Sequence, residues 1–344
     1  MNEEKKTKKG KAFAIYSIIL TVLLLFICAL SFGAGQKSDT VILTYAEVNP
    51  LDGTISGEMA KAFKEKTEEL SNGKIIIDLQ PGGVLGSEDQ LLDNLLGGGN
   101  IADITRISAL ALPSYGCEKT GLLAVPYTFT GAEHFWKFTE SDVAEEMLME
   151  PHDLGLPLRG LCFGEEGFRN FFFRSEVKDI SDLKGKKIRV SSDPILTGMV
   201  SDIGGSATVV SFTELYSSLS TGVVDGAEQP TPNYNSNAFY EVAPYLLLDG
   251  HTLGTMELIV SDYRWNNLSV EQQEILKEAA EYASECCRNK VSEIEEEAFK
   301  NLREKNVTIV EVEDKTPWIE ACQNTISKYS AKQKELYQKI VDLK

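Results

Sequence analysis

The 344 residues are 42% hydrophobic and 25% charged, which excludes a disordered or fibrous chain and supplies material for about two domains. With 52 acidic against 34 basic residues the formal net charge is -18, which excludes the broad basic surface that nucleic acid or anionic lipid requires. An anionic small molecule therefore needs a local nest of arginines to overcome the overall field.

In chain order, residues 1 to 11 carry five lysines against two glutamates, and Ala12 to Phe32 is almost unbroken apolar sequence, the pattern of an export signal. A run of roughly 20 apolar residues also spans a bilayer. Residues 1–35 are thus either a cleaved signal peptide or a retained anchor, and both place the remainder outside the cytoplasm. Ser31-Phe32-Gly33 and Gly33-Ala34-Gly35 offer small-residue cleavage sites, whereas Cys28 lacks the small residues expected before a lipidated cysteine. Loss of residues 1 to 33 removes five positive and two negative charges, so the exported body carries -18 - 3 = -21.

Val41 to Ala46 reads as a strand, and Thr54 to Leu70 as a helix with Ile55, Met59, Phe63 and Leu70 on one face, ending at Asn72-Gly73. Lys74 to Leu79 is the next strand. Ser87-Glu88-Asp89-Gln90 has the capping-box pattern of a second helix, which stops at Gly97-Gly98-Gly99 before a strand at Ile101 to Ile104. That triple glycine closes a helix and precedes a strand, the reverse of a phosphate loop. The same α/β grammar returns after residue 180. Strand Ile188 to Val190 is followed by a helix at Ile195 to Ile203, a strand at Thr208 to Val210, and a second capping box at Ser211-Phe212-Thr213-Glu214. Its helix stops at Gly222, before a short strand Val223-Val224-Asp225.

Glu257 to Ser261 is a further strand, and Ser269-Val270-Glu271-Gln272 opens a helix with Leu276, Ala280, Ala283, Cys287, Val291, Ile294, Ala298 and Leu302 on one stripe. At 1.5 Å per residue this helix is about 45 Å long or more, enough to run behind two lobes as a brace. A strand at Val307 to Glu311 and a polar helix from about Pro317 complete the chain. The cysteines Cys117, Cys162, Cys286, Cys287 and Cys322 are odd in number and lack metal-ligand spacing. Buried free thiols are favoured over one unassignable disulfide, and neither metal nor cofactor is expected.

Ligand chemistry concentrates between Asp182 and Pro230. The turn at Gly185 leads into a strand that delivers Arg189 near its carboxyl end, the edge at which open α/β sheets bind ligands. An arginine there offers a planar, permanently charged fork to a carboxylate, unless it merely pairs with Asp193 or Glu228. Phe171-Phe172-Phe173 is expected in the core, and His251 as a structural histidine.

Together these residues carry a resemblance: the chain resembles the extracytoplasmic solute-binding proteins of tripartite ATP-independent periplasmic (TRAP) transporters, the DctP family. The matching stretches are Gly73-Lys74-Ile75, Gly83 to Glu88, Asp103 to Arg106, Pro126-Tyr127, Gly167-Phe168-Arg169, Asp182 to Val190, Asp225 to Glu228, Tyr240-Glu241-Val242 and His251. The resemblance implies a two-lobed periplasmic-binding-protein-like α/β fold with a cleft, connecting strands and a long brace helix. Lobe I takes 39–165 plus 254–292 and lobe II 166–253 plus 293–344, with hinges near 163–168 and 250–256.

It further implies that Arg189 grips the ligand carboxylate, with Arg169 and Arg106 adding charge or orienting hydroxyls. The alternative for those two arginines is exposed ion pairing. Gln229, Glu88, Asn49 and Asn235 are polar contacts to hydroxyls, against capping or turn roles. Glu228-Gln229-Pro230 departs from the Glu-Asn-Pro of sialic-acid-type members, and Ser175 beside Arg174 stands where several members have an arginine. Those departures count against sialic acid; Arg106, Arg169 and the Asp225 to Glu228 block favour a hexuronate or related sugar acid over a C4-dicarboxylate or other carboxylate, with membrane permease subunits as the protein partner. A sensory binding protein sharing the same ligand site is the alternative. An exported enzyme finds little support: there are three histidines, no His-Glu-x-x-His, no Gly-x-Ser-x-Gly, and paired carboxylates such as Glu165-Glu166 lie in what reads as a polar segment, with nothing to set them across a cleft from each other.

Overall fold

The computed structural model describes residues 40–344, so the expected signal peptide or anchor over 1–35 lies outside the described residues. Val41–Lys344 forms one compact unit. Its nine-stranded sheet runs β2-β1-β3-β8-β4-β7-β5-β6, with β9 (Thr308–Glu311) paired to β8. Strands β1 (Val41–Ala46), β2 (Ile75–Gln80) and β3 (Ile104–Ser108) are a parallel group, as are β5 (Lys187–Val190), β6 (Ser206–Val209) and β7 (Gly226–Pro230). Between the groups lie two long antiparallel strands, β4 (Leu158–Phe173) and β8 (Tyr245–Ser261). The far end of β8 pairs with β3 and the far end of β4 with β7, so each long strand closes one α/β half and continues toward the other. The result is the two-lobed arrangement that the repeated α/β grammar suggests.

The crossing is irregular. Register between β4 and β8 shifts at Gly160/Cys162, Glu165/Phe168 and Arg169/Phe171. Gly167, inside the second shift, has φ 83, and a Cβ there would lie 2.3 Å from Glu295 Oε1. Only a glycine fits this conformation and this approach.

Helices α1 (Ile55–Leu70) and α2 (Glu88–Leu96) belong to the first half, followed by the short α3 (Ala132–Thr139). Then come α4 (Pro194–Asp202), α5 (Leu215–Thr221), α6 (Thr231–Ser236) and α7 (Val270–Glu304). Complete capping boxes start α2 at Ser87 and α7 at Ser269. The box expected at Ser211 does not form: its hydroxyl donates to the Glu214 carboxylate at 2.8 Å, and a 3-10 turn precedes α5. Two strands also lie further along than their sequences suggest. β3 begins at Ile104 rather than Ile101, and β7 at Gly226 rather than Val223, where Val224 instead packs into the core and Asp225 accepts from Lys187 N at 2.8 Å.

Helix α7 is 35 residues long. Leu276, Ala280, Ala283, Cys287 and Val291 pack with Ile55, Met59 and Phe63 in the core of the first half, while Leu302 packs with Phe172, Leu215 and Leu246 in the second. One amphipathic face therefore braces both. The tail is also shared: Trp318 and Cys322 pack with Phe171 and Ile188, whereas Leu336 and Ile340, assigned from sequence to the second lobe, bury themselves in the first core. Phe171, Phe172 and Phe173 are fully buried core residues, and the five cysteines named above are free thiols.

Candidate functional site

Each of the three arginines projects from a different strand, Arg106 from β3, Arg169 from β4 and Arg189 from β5, and each is at most 3% exposed. Burying a guanidinium is costly unless a counter-charge accompanies it, so the pairing of each decides what it can do. Arg106 is already paired with carboxylates through all three of its nitrogens. Its Nε donates to Glu47 Oε2 at 3.0 Å, Nη2 to Glu47 Oε1, and Nη1 to Glu88 Oε1 at 2.9 Å. Burial alone would lower its pKa, but Glu47, Glu166 and Glu88 outweigh that and raise it.

Arg169 forms a fork on Glu228, through Nε and through Nη2 at 2.9 Å from Oε1. Burial pushes the Glu228 carboxyl up, yet Arg169 and His251 hold it at about 2. His251 donates through Nδ1 to Asp249 Oδ2 at 2.7 Å and sets Nε2 at 3.5 Å from Glu228 Oε2, an ion-pair distance. Despite burial, those two carboxylates raise it to about 9. Phe171 lies against the His251 ring with centroids 4.6 Å apart. His251 thus braces the arginine–glutamate pair from behind.

Arg189 differs from both. Its Nε donates to Val210 O at 2.8 Å, Nη1 is buried without a partner, and among the described residues no carboxylate comes within 4.0 Å. Burial, opposed by Glu228 and reinforced by Arg169, brings its pKa down to about 10. The expected alternative partners fail for local reasons: Glu228 is occupied by Arg169, and Asp193 Oδ1 caps α4 by accepting from Ile195 N and Leu196 N.

A small cavity, about 30 Å³ of free space, is lined by all three arginines together with Asn49, Glu88, Glu166, Gln229 and Asn233, and by Val48, Ser108, Ser191 and Phe212. Glu88 reaches it from the first turn of α2, where Ser108 N also donates to its carboxylate at 2.9 Å. Asn49, on the segment following β1, is fixed by Glu47 and Ser56, each 3.2 Å from its Nδ2. Gln229 comes from β7. Of the residues singled out from sequence, only Asn235 lies elsewhere. Its Oδ1 accepts from Asn301 Nδ2 on α7, and it lines a separate surface cavity with Gly53 and Glu297.

Asn233 occupies the position that Asn235 does not. Thr231-Pro232 marks a helix start, and two residues apart on a helix point to different sides, so the spacing carried that signal. Glu47 and Glu166 were also missed. Glu165 and Glu166 are 1% and 2% exposed on β4 rather than in a polar segment, and their side chains diverge with the pleat. Glu166 Oε1 accepts from Asn233 Nδ2 at 3.0 Å on the cavity side, whereas Glu165 Oε1 accepts from Trp136 Nε1 at 2.6 Å and is raised by burial to about 7.

A larger space of about 470 Å³ opens on the other face of β4, between Trp136 of α3 and Glu281, Glu285 and Arg288 of α7. Its one cation, Arg288, already pairs with Glu140 at 2.8 Å, so it offers no open anchor for an anion. Among the described residues there is no cluster able to hold a metal ion, and no helix long and apolar enough to cross a membrane.

Residues 46–333 match the family model for bacterial extracellular solute-binding protein, family 7 (DctP). A solute-binding protein of Roseobacter denitrificans is 30% identical over 254 residues, covering 74% of this chain and 77% of the relative. A TRAP periplasmic solute-binding protein of Pseudomonas putida F1, solved with bound D-glucuronate, superposes with a TM-score of 0.82 at 28% identity, covering 87% of this chain and 96% of that one. A Bradyrhizobium counterpart in complex with D-galacturonate gives 0.82 at 28% identity, covering 87% and 99%. These are extracytoplasmic solute receptors rather than enzymes, and the chain belongs to their family, the DctP solute-binding proteins of TRAP transporters.

Proposed function

We propose that the cavity takes a sugar acid with a single carboxylate, a hexuronate first, and that Arg189 is its anchor. The observation that carries this reading is the pairing pattern: of three buried arginines, Arg189 alone has no carboxylate and keeps Nη1 unpartnered inside the cavity. The atom itself is fully buried, so the lobes must part to admit the ligand, whose carboxylate then completes the fork with charge-assisted hydrogen bonds. Arg106 and Arg169 serve differently from a bare positive nest. Already neutralised, they hold Glu88 and Glu228 in place, and Glu88 and Glu166 become acceptors for ring hydroxyls, helped by Asn49 and Gln229. A second ligand carboxylate would face Glu88 and Glu166, which supports a sugar acid over a C4-dicarboxylate. The hexuronates named for the Pseudomonas putida and Bradyrhizobium relatives support the same class.

The lobes, divided near 165/166 and 253/254, close by bending at the irregular register around Gly167 and at residues 250–256. The loaded receptor then delivers its ligand to TRAP permease subunits from the extracytoplasmic side. Thermal-shift screening of the chain from residue 36, stripped of ligand, against hexuronates, aldonates, C4-dicarboxylates, sialic acid and neutral sugars tests the reading. Ligand at about 1,000 times its Kd adds about 4 kcal/mol, and the expected response is confined to sugar acids. A response to neutral sugars alone removes Arg189 from the account.

A further inference from the structure

We propose that Asn233 is a specificity-determining residue: its side-chain carbonyl accepts a ligand hydroxyl and so selects polyhydroxylated monocarboxylates over dicarboxylates. The inference deepens the sugar-acid reading and rests on it. Asn233, in the first turn of α6, is 2% exposed and lines the cavity. The orientation of its amide follows from its neighbour. Nδ2 stands 3.0 Å from Glu166 Oε1, the same oxygen that faces Asn49 Nδ2 at 3.5 Å and Arg106 Nη1 at 3.9 Å. A carboxylate oxygen ringed by donors accepts, so the Asn233 nitrogen must face it and the carbonyl must turn away. That carbonyl oxygen is buried and has no partner among the described residues.

Among the residues lining this one cavity, two fully buried side-chain atoms are without a partner, Arg189 Nη1 and Asn233 Oδ1. One is a cationic donor and the other a neutral acceptor. Their complement is an anion that also carries a hydroxyl donor. A dicarboxylate satisfies the first and leaves the second buried and bare, and an unpaired buried acceptor is penalised more heavily than a formed hydrogen bond is rewarded. Glu166 acts here as a positioning residue, because it fixes which end of the amide faces the ligand.

Calorimetric titration of the ligand-stripped protein and its Asn233→Ala variant with D-glucuronate, D-galacturonate and succinate tests this. The expected result is a loss of about 5- to 100-fold in hexuronate affinity while succinate affinity holds or rises, because the bare acceptor that penalises it is gone. The unmodified protein supplies a check independent of the variant's folding: among 2-, 3- and 4-deoxy hexuronates, one loses a similar factor, and Asn233→Ala no longer distinguishes that analogue from its parent. Equal losses for hexuronate and succinate, or deoxy analogues that all bind alike, overturn the proposal. Hexuronate binding that needs Arg189 but is indifferent to Asn233 overturns it alone, whereas failure of the unmodified protein to bind any acid removes the sugar-acid reading along with it.

Discussion

Replacing Arg189 by methionine, which keeps much of the stem and removes the charge, separates binding from stability. In the unliganded protein the guanidinium is desolvated and lacks a counter-ion, and its pKa falls from 12.5 to about 10. A difference of 12.5 - 10 = 2.5 corresponds to a charge penalty of about 3 kcal/mol at 1.36 kcal/mol per pKa unit. Against its removal stands the lost bond from Nε to Val210 O, about 1 kcal/mol. Arg189→Met is therefore expected to leave the melting temperature of the empty protein unchanged or raised. Its ligand affinity should fall by about 2–5 kcal/mol, or roughly 30- to 5,000-fold in Kd, because a desolvated charge-assisted pair is lost. Calorimetry with D-glucuronate, paired with thermal melts of both empty proteins, reads both quantities. Hexuronate affinity within a few fold of the unmodified protein refutes the anchoring role, and a collapse of the empty protein's melting temperature refutes the argument that the cation is uncompensated.

The opposite behaviour is expected of Arg169→Ala, which strands Glu228 and His251 in the core: a stability loss of about 3–5 kcal/mol in urea melts. Stability should also fall as pH rises. His251 lies at about 9 against an ordinary 6.5, so its contribution is complete below 6.5 and lost as pH passes 9. Glu165, raised to about 7 from 4.5, is lost in the same direction between those values, while Glu228, held at about 2, matters only below 4.5. Melting temperatures of the empty protein from pH 5 to pH 9.5 should decline throughout, by the equivalent of about 3–6 kcal/mol; a maximum near pH 9 contradicts the charge assignments. Gly167→Ala forces a side chain to φ 83 and against Glu295, with an expected cost of about 1–2 kcal/mol by chemical denaturation. Asn235→Ala should leave hexuronate affinity unchanged within about twofold, since its amide faces Asn301.

Local chemistry made much of this molecule legible. Ser87 and Ser269 announce α2 and α7 because a hydroxyl and a glutamine three residues on satisfy the first turn without outside help. The apolar stripe of α7 is equally self-contained. Ser211-Phe212-Thr213-Glu214 has similar spacing, but there the serine and glutamate side chains bond each other. The long strands were hidden for a different reason. Glu165, Glu166 and Arg169 look like surface when their partners are out of sight, and only pairing with β8 and contact with Trp136, Asn233 and Glu228 make their burial possible. Which arginine is free is a tertiary fact of the same kind. Glu47, 59 residues from Arg106, and Glu228, likewise 59 from Arg169, determine it.

That pairing pattern also explains how a chain of charge -18 holds an anion. Three bare guanidinium groups in one small cavity would repel one another and destabilise the unliganded fold. Two of them instead bind carboxylates of the chain itself, and those ion pairs fix the positions of Glu88, Glu166 and, through it, Asn233. The remaining one, Arg189, is held by a single carbonyl and pulled down by burial and by Arg169. Burial shields it from solvent ions more effectively than a surface charge would be shielded. A ligand carboxylate thus meets one strong, oriented donor at short range, while the long-range field of the acidic surface is screened over about 8 Å at physiological ionic strength. Affinity should accordingly be far less sensitive to salt than binding to an exposed basic patch, and a Kd that weakens by more than about tenfold between 0.05 and 0.5 M salt would mean that the anion is held at the surface rather than by Arg189.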